Sequence, residues 1–364
     1  MLHAIIMAGG SGTRLWPESL RKRPKQLLSI GSDKSLIRQS VDRISTLVPP
    51  KRIYLATNAR LAKPLLDSAE ILPPDAAIIE PAARNTAPCI ALAAVACLKK
   101  DPDATMVVLT SDHRIAPEKD FIRCVKAAVD KVEKDNSLLI TFGIVPAYPA
   151  ESYGYIQRKD GAGEESDGVR IYSVKQFKEK PNRETAEAFL KDGRYFWNSG
   201  MFVWKAQTLL DNLAEFEPEM YEKFEIIAQN WDESEGKRNM CIAEQFASMK
   251  NISIDYAVME KSARVCVIEA DFDWDDIGSW TSLERLLPQD ENGNTLDCAR
   301  FAGINTTDTI VRCKNVNHLI AAVGVHDLAI IETDRATLVI NKKNEEAVRL
   351  AVEEIRQNEW EDWL

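Results

Sequence analysis

From residue 1 to about 145, short apolar runs alternate with longer stretches of helical spacing. This alternation constrains the fold most, because parallel strands need crossover connections, usually helices. Strands are expected at His3–Ala8, Arg52–Thr57, Ala76–Ile79, Thr105–Thr110 and Ser137–Ile144. Between and after them, Ser35–Leu47, Thr86–Lys99 and Phe121–Lys134 have the spacing of helices, the second begun by Asn85 or Thr86 as cap. "TMVVLT" and "SLLITF" are continuous apolar runs, as strands buried on both faces must be. An α/β domain built on a mainly parallel mixed sheet follows.

The texture changes after residue 150. Gly154–Ile156 and Val169–Phe177 are expected as antiparallel strands around the polar loop "KDGAGEESDG", with helices at Arg183–Lys191 and Gln207–Ile227. "DENGN" at 290–294 is a turn or linker signal. Short β-branched runs between Ile304 and Ile340 and an amphipathic helix, Asn344–Gln357, suggest a small β-rich module. The division expected is 1–288 and 289–364.

A formal charge of -10 over 364 residues argues against non-specific nucleic-acid binding, which needs a broad basic surface. The seven cysteines form no CxxC pair, so neither a zinc site nor a disulfide framework is indicated and a reducing compartment is expected. The N-terminal apolar run is too short for a signal peptide, and no segment has the length of a membrane span. A cytoplasmic protein is the expectation.

One local feature departs from the acidic background. In "MAGGSGTRLWPESLRKRPKQ", residues 7–26, three glycines follow the first strand and five basic residues come after. The string GxxxxGKS/T of a P-loop is absent, and Leu15 stands where the dinucleotide fingerprint needs its third glycine. The underlying physics still applies, since glycines between strand and helix let backbone N–H groups approach an anion. Arg14 and Lys25 could neutralise a polyphosphate over the loop, while Arg21, Lys22 and Arg23 face solvent or rim the pocket. A tight turn followed by a solvated basic face is the other reading of these residues. Trp16-Pro17 and Pro24 stiffen the segment, which suits pre-positioned charge. Asp112 closes the apolar strand "LTSDH", where ligands of open α/β sheets sit, though a strand-end aspartate also serves as a helix cap.

Gly9 to Gln26, GGxGTRLWPxSxxxxPKQ, resembles the signature loop of the nucleotide-sugar pyrophosphorylases, and its "LWP" and "PKQ" resemble the mannose-1-phosphate guanylyltransferase branch of that family. "EPAARNTAP" (80–88) is similar to the family's base-recognition segment. "PAYPAESYGYI" (146–156), "FKEKP" (177–181), "FWNSGMFVW" (196–204) and "DWDDIGSW" (273–280) resemble its sugar-phosphate segments. The match runs in order over roughly residues 3 to 280. It implies a Rossmann-like nucleotidyltransferase domain and, more weakly, a C-terminal left-handed β-helix-like module.

What the resemblance implies for the site is specific. Ala8, Gly9, Gly10, Gly12, Thr13, Glu80, Asn85, Thr86 and Ser111 would bind the nucleotide. Tyr153, Gly154, Glu179, Lys180 and Asn198 would hold the sugar phosphate, and Asp112 and Asp276 would hold Mg2+. Arg14, Lys25 and Lys180 would be the catalytic cations. At least one of Trp274 and Trp280 is expected to be core packing, and Asp255 in "SIDYAVME" reads equally as a helix cap. The implied reaction transfers GMP from GTP to mannose 1-phosphate, giving GDP-mannose and pyrophosphate, in an enzyme expected to be a homodimer. Another sugar 1-phosphate or NTP, or a non-catalytic nucleotide-sugar-binding subunit, are the rival readings. Many bacterial relatives continue into a phosphomannose isomerase domain, so that second activity is expected to be absent from this chain.

Overall fold

The computed structural model describes residues 1–10 and 12–364. The chain divides into two compact units that interleave along the sequence. The first comprises Met1–Gly9, Ser40–Ser111 and Ile115–Trp274, and the second Gly10–Gln39, Asp112–Arg114 and Asp275–Leu364.

The first unit is organised by a ten-stranded sheet. Its strands are β1 (Leu2–Met7), β2 (Ile53–Thr57), β3 (Ala77–Ile79), β4 (Thr105–Thr110), β5 (Leu139–Ile144), β6 (Tyr155–Arg158), β7 (Glu164–Ser166), β8 (Val169–Lys178), β9 (Tyr195–Lys205) and β10 (Val265–Ala270). Their order is β3-β2-β1-β4-β9-β5-β10-β8-β6, with β7 paired to β8. β1 runs parallel to β2 and β4, with Ile5 in register with Tyr54 and Val108. β9 is antiparallel to β4, β5 and β6, so the sheet is parallel at its N-terminal end and mixed beyond it. β1, β2, β4 and β5 coincide closely with the apolar runs because each is buried along most or all of its length.

Helix Thr86–Lys100 is buried from Ala87 through Cys97, which explains a sequence with little amphipathic character. Helix Glu118–Lys134 instead buries one stripe: Phe121, Cys124, Val125, Ala128 and Val132. The single helix expected over Gln207–Ile227 is two, Ala206–Phe216 and Pro218–Gln229. Pro218 cannot continue the first helix but suits the first turn of the second. The helix expected over Asn344–Gln357 begins only at Val348, because Asn344 leaves helical geometry in the preceding 3-10 segment.

In the second unit, Thr295–Cys298, Ile310–Cys313 and Leu328–Glu332 stack as parallel strands, one per coil, and Thr337–Asn341 closes the stack antiparallel. Phe301–Ile304 pairs in parallel with Ile320–Val323 as a second ladder. Repeated in-register rungs joined by short corners are a β-helix-like arrangement. Its core also contains Leu15, Trp16, Leu28, Ile30 and Leu36 from the signature-loop region, packed with Trp280, Leu283, Ile310 and Ile331. Trp280 Nε1 donates to Trp16 O (3.1 Å), and Trp16 Nε1 donates to Trp363 O (2.9 Å). All seven cysteines are free, and no helix among the described residues is long and apolar enough to cross a membrane.

Candidate active site

The signature-loop residues from Gly10 onward lie in the second unit. Gly12 is left-handed (φ 61°), and a Cβ there would sit 2.5 Å from Lys25 Cβ and 2.9 Å from Ser19 Oγ. Glycine is therefore required both by the turn and by the closeness of Lys25. Thr13 opens a short 3-10 turn through Leu15, and Gln26 Nε2 donates to Gly10 O (3.1 Å), pinning the loop from its far end.

Within this unit the four residues expected at the chemical centre come together. Lys25 Nζ lies 2.8 Å from Asp112 Oδ2 and donates to Asp276 O at 2.6 Å. Burial works to raise the Asp112 carboxyl, but Lys25 and His113 outweigh it, so its pKa lies below the ordinary aspartate value. Asp276 Oδ1 accepts from Gly278 N (3.2 Å), and a Cβ on Gly278 would approach Asp276 Oδ2 to 2.9 Å. Arg14 Nη1 donates to Gly278 O (3.4 Å), and Arg14 Nε pairs with the exposed Glu346 at 3.2 Å. Arg21 reaches Glu361 and stays at the surface with Lys22 and Arg23.

Two features of this unit escaped the sequence. Arg312, buried in a strand, forks onto Glu18 of the signature loop at 2.5 and 2.8 Å. It also contacts Asp297 and donates to Ser29 O at 3.0 Å. A charge inside "IVRC" carries no local sign of burial, because all four residues of that strand are buried and it has no alternation to read. Glu346 beside Arg14 gives no sequence signal at all.

Of the residues expected to bind the nucleotide, Ala8, Gly9, Glu80, Asn85, Thr86 and Ser111 lie in the first unit. Ala8 is buried, and its carbonyl accepts from Thr57 Oγ1 (2.8 Å). Ser111 N donates to Met7 O (3.2 Å). Glu80 is buried, and desolvation raises its carboxyl although Cys89 hydrogen-bonds to it. A Cβ on Gly9 would lie 3.9 Å from Glu80 Oε1. Asn85 is the cap: it adopts a positive φ of 67°, and its Oδ1 accepts from Thr86 N (2.9 Å). Thr86 Oγ1 accepts from Ile254 N at 2.9 Å, and Ala87 N donates to Ile252 O at 3.2 Å.

The sugar-phosphate segments gather at another place in the same unit. Asn198 N donates to Gly154 O (2.8 Å), and a Cβ on Gly154 would lie 2.5 Å from Glu179 Oε2. Lys180, itself at φ 41°, places Nζ 3.3 Å from Glu179 Oε1 and is mostly exposed. Tyr153 packs edge-on against Trp197 and Trp274, at 5.1 and 5.3 Å between ring centroids. Trp280 is the core tryptophan of the pair, 1% exposed. Asp255 starts a π-helical turn, Asp255–Met259, and accepts from Asn198 Nδ2 at 2.7 Å. Burial, with Glu179 adding to it against the pull of Asn198, pushes its carboxyl up to about 6.

A glycine-rich loop with two basic residues, a strand-end aspartate and a second acidic motif, in a chain built on this sheet, define a nucleotidyltransferase. A nucleotidyl transferase family model matches residues 3–293, and a MannoseP isomerase/GMP-like beta-helix domain model matches residues 299–355. The mannose-1-phosphate guanylyltransferase of Klebsiella pneumoniae is 37% identical over 369 residues, covering 99% of this chain and 75% of the relative. That of Escherichia coli is 37% identical over 362 residues with the same coverage. A solved Thermus thermophilus structure, described as a mannose-1-phosphate geranyltransferase, superposes with a TM-score of 0.87 at 29% identity. The superposition covers 98% of this chain and 99% of that one. The chain belongs to the mannose-1-phosphate guanylyltransferase family, and it is an enzyme.

Proposed function

We propose that the enzyme transfers GMP from GTP to α-D-mannose 1-phosphate, releasing pyrophosphate and forming GDP-mannose. The observation that carries this reading is Lys25, whose ammonium joins Asp112 to Asp276. Such transfers depend on positioning and charge neutralisation, and the attacking phosphate is already ionised at neutral pH, so no general base is needed.

The donor set suits a magnesium ion. Asp112 and Asp276 are hard carboxylates, Asp112 is held ionised, and Mg2+ commonly takes one or two carboxylates with the rest of its shell from phosphates and water. When bound there, the cation supplies neutralisation of charge building on the phosphates. Lys25, paired with Asp112, is the fixed cation for the leaving pyrophosphate. Arg14 is half-buried but its partner Glu346 is exposed, so its guanidinium can exchange that carboxylate for a phosphate. Gly9, Gly10, Gly12 and Thr13 contribute backbone amides to the phosphates. Ala8, Glu80, Asn85, Thr86 and Ser111 border the nucleoside, and Lys180 with Glu179, Asn198, Tyr153 and Gly154 holds the sugar phosphate.

A cytoplasmic homodimer belongs to the same reading. Ile304 and Val323 support the dimer, because they are register partners on the β-helix surface and are 60% and 63% exposed. Light scattering tests it. The function itself is tested by pyrophosphate release with a panel of NTPs against mannose and glucose 1-phosphates. GTP with mannose 1-phosphate should dominate, and a preference for UTP or dTTP with glucose 1-phosphate would overturn the assignment.

A further inference from the structure

The segment "SIDYAVME" (253–260) is absorbed by none of the roles above, yet the chain at its start is bound to two groups that are. On one side, Ile252 O accepts from Ala87 N, and Ile254 N donates to Thr86 Oγ1, so the chain entering Asp255 is fastened to the start of helix Thr86–Lys100. On the other, Asp255 Oδ1 accepts from Asn198 Nδ2. The backbone between does not continue as an α-helix. Glu260 N reaches back to Asp255 O (2.9 Å), the wide hydrogen bond of a π-turn, an irregularity found frequently at functional sites.

Asn198 is an amide with two acceptor lone pairs and two donor hydrogens. Its Oδ1 accepts from Gly200 N at 3.2 Å and lies 3.3 Å from Thr141 Oγ1, whose one hydrogen is shared with Met201 O at 3.1 Å. The Gly200 N–H, which can only donate, fixes which end of the amide is oxygen. Asp255 then takes one of the Nδ2 hydrogens at 2.7 Å, and a single N–H is left to offer. An unclamped asparagine could rotate about its terminal torsion, which is broad.

We propose that Asp255 is the positioning residue of the sugar-phosphate clamp, holding the Asn198 amide so that its remaining N–H faces the substrate. This rests on the reading of Asn198 as a sugar-phosphate ligand. Asp255 acts through Asn198 and does not itself touch the reacting atoms. The bond from the preceding Ile254 N to Thr86 Oγ1 also ties the clamp to the segment assigned to the nucleoside, within one compact unit.

The test is steady-state pyrophosphate release with mannose 1-phosphate and GTP varied separately, on Asp255→Ala, Asp255→Asn, Asn198→Ala and the Asp255→Ala/Asn198→Ala double variant. Asp255→Ala should raise KM for mannose 1-phosphate about tenfold and leave KM for GTP within about twofold. Asp255→Asn keeps an acceptor oxygen at the same place and should recover KM for mannose 1-phosphate to within about threefold of the parent enzyme. The double variant should match Asn198→Ala to within about twofold, because the two residues act as one unit. Two results would overturn the role: an unchanged KM in Asp255→Ala while Asn198→Ala raises it, or a rise in both KM values accompanied by a lower melting temperature. An unchanged KM in Asn198→Ala would instead remove Asn198 from the clamp, and the positioning role with it.

Discussion

Replacing Arg312 by Met probes how the C-terminal coils hold the phosphate loop. The Arg312 and Glu18 side chains are 1% and 6% exposed, and the fork between them is two charge-assisted bonds of 2.5 and 2.8 Å. Burial favours loss of the Arg312 proton, but Glu18 and Asp297 outweigh it and raise the pKa further. Met fills most of the space but leaves Glu18 buried without its cation, a loss of about 3–5 kcal/mol. Asp297 is less exposed to the change, because Lys314 still holds it at 3.0 Å. Glu18→Gln is milder, since it keeps the side-chain shape and Arg312 retains Asp297, and should cost about 1.5–3 kcal/mol.

The two substitutions remove the same bonds, so the double variant should lose clearly less than the sum of the singles. Urea unfolding followed by tryptophan fluorescence gives the energies, and pyrophosphate release on the same samples gives activity. Glu18 lies between Arg14 and Lys25 in the chain, so both single variants should also lose turnover at temperatures where they remain folded. A cost below about 1 kcal/mol for Arg312→Met, or full additivity in the double variant, would show that the buried pair is not what fixes the loop.

Four shorter expectations follow from the same geometry. Lys25→Ala should lower turnover by about a hundredfold or more, with a much smaller effect on melting temperature than on rate. Wild-type turnover would remove Lys25 from the mechanism. Gly154→Ala should raise KM for mannose 1-phosphate, since the new methyl would lie 2.5 Å from Glu179 Oε2 and must displace it. Asp112, whose pKa is lowered, contributes stability present above the ordinary aspartate value of about 3.9 and lost as pH falls through its lowered value. Titration of melting temperature should therefore show the advantage of the parent enzyme over Asp112→Asn shrinking on the acid side. Asp255 has the opposite sign: raised to about 6, it contributes stability present at acid pH and lost as pH rises through that value. Asp255→Asn should gain on the parent enzyme as pH rises from the ordinary aspartate value of about 3.9 through about 6.

The strands legible in the sequence were those whose burial is continuous, because "TMVVLT" leaves no choice of face. β9 was harder. Asn198 to Gly200 interrupt it with a shift of register, so its alternation breaks where its functional residue sits. The motifs could nominate Arg14, Lys25, Asp112 and Asp276 singly, but not the bridge that Lys25 makes. Asp255 shows the same limit from another side. A cap and a hydrogen-bond acceptor for a distant amide look alike in one dimension, and only the approach of Asn198 separates them.

The grouping of the signature loop with the C-terminal coils was the least legible feature, and it bears directly on how the enzyme should be dissected. Leu15 and Trp16 of the loop, with Leu28 and Ile30 just after it, lie in one core with Ile310 and Ile331. Its Glu18 has its cation in a coil strand, and Trp16 exchanges hydrogen bonds with Trp280 and Trp363. A chain cut after the nucleotidyltransferase match at residue 293 would therefore expose the underside of the loop and leave Glu18 buried or hydrated without Arg312. Loss of activity on such a cut could not distinguish a missing catalytic group from a collapsed loop. Point changes at Arg312 and Glu18 keep the core and alter only the charge pair, so they measure the contribution of the coils to the loop's shape.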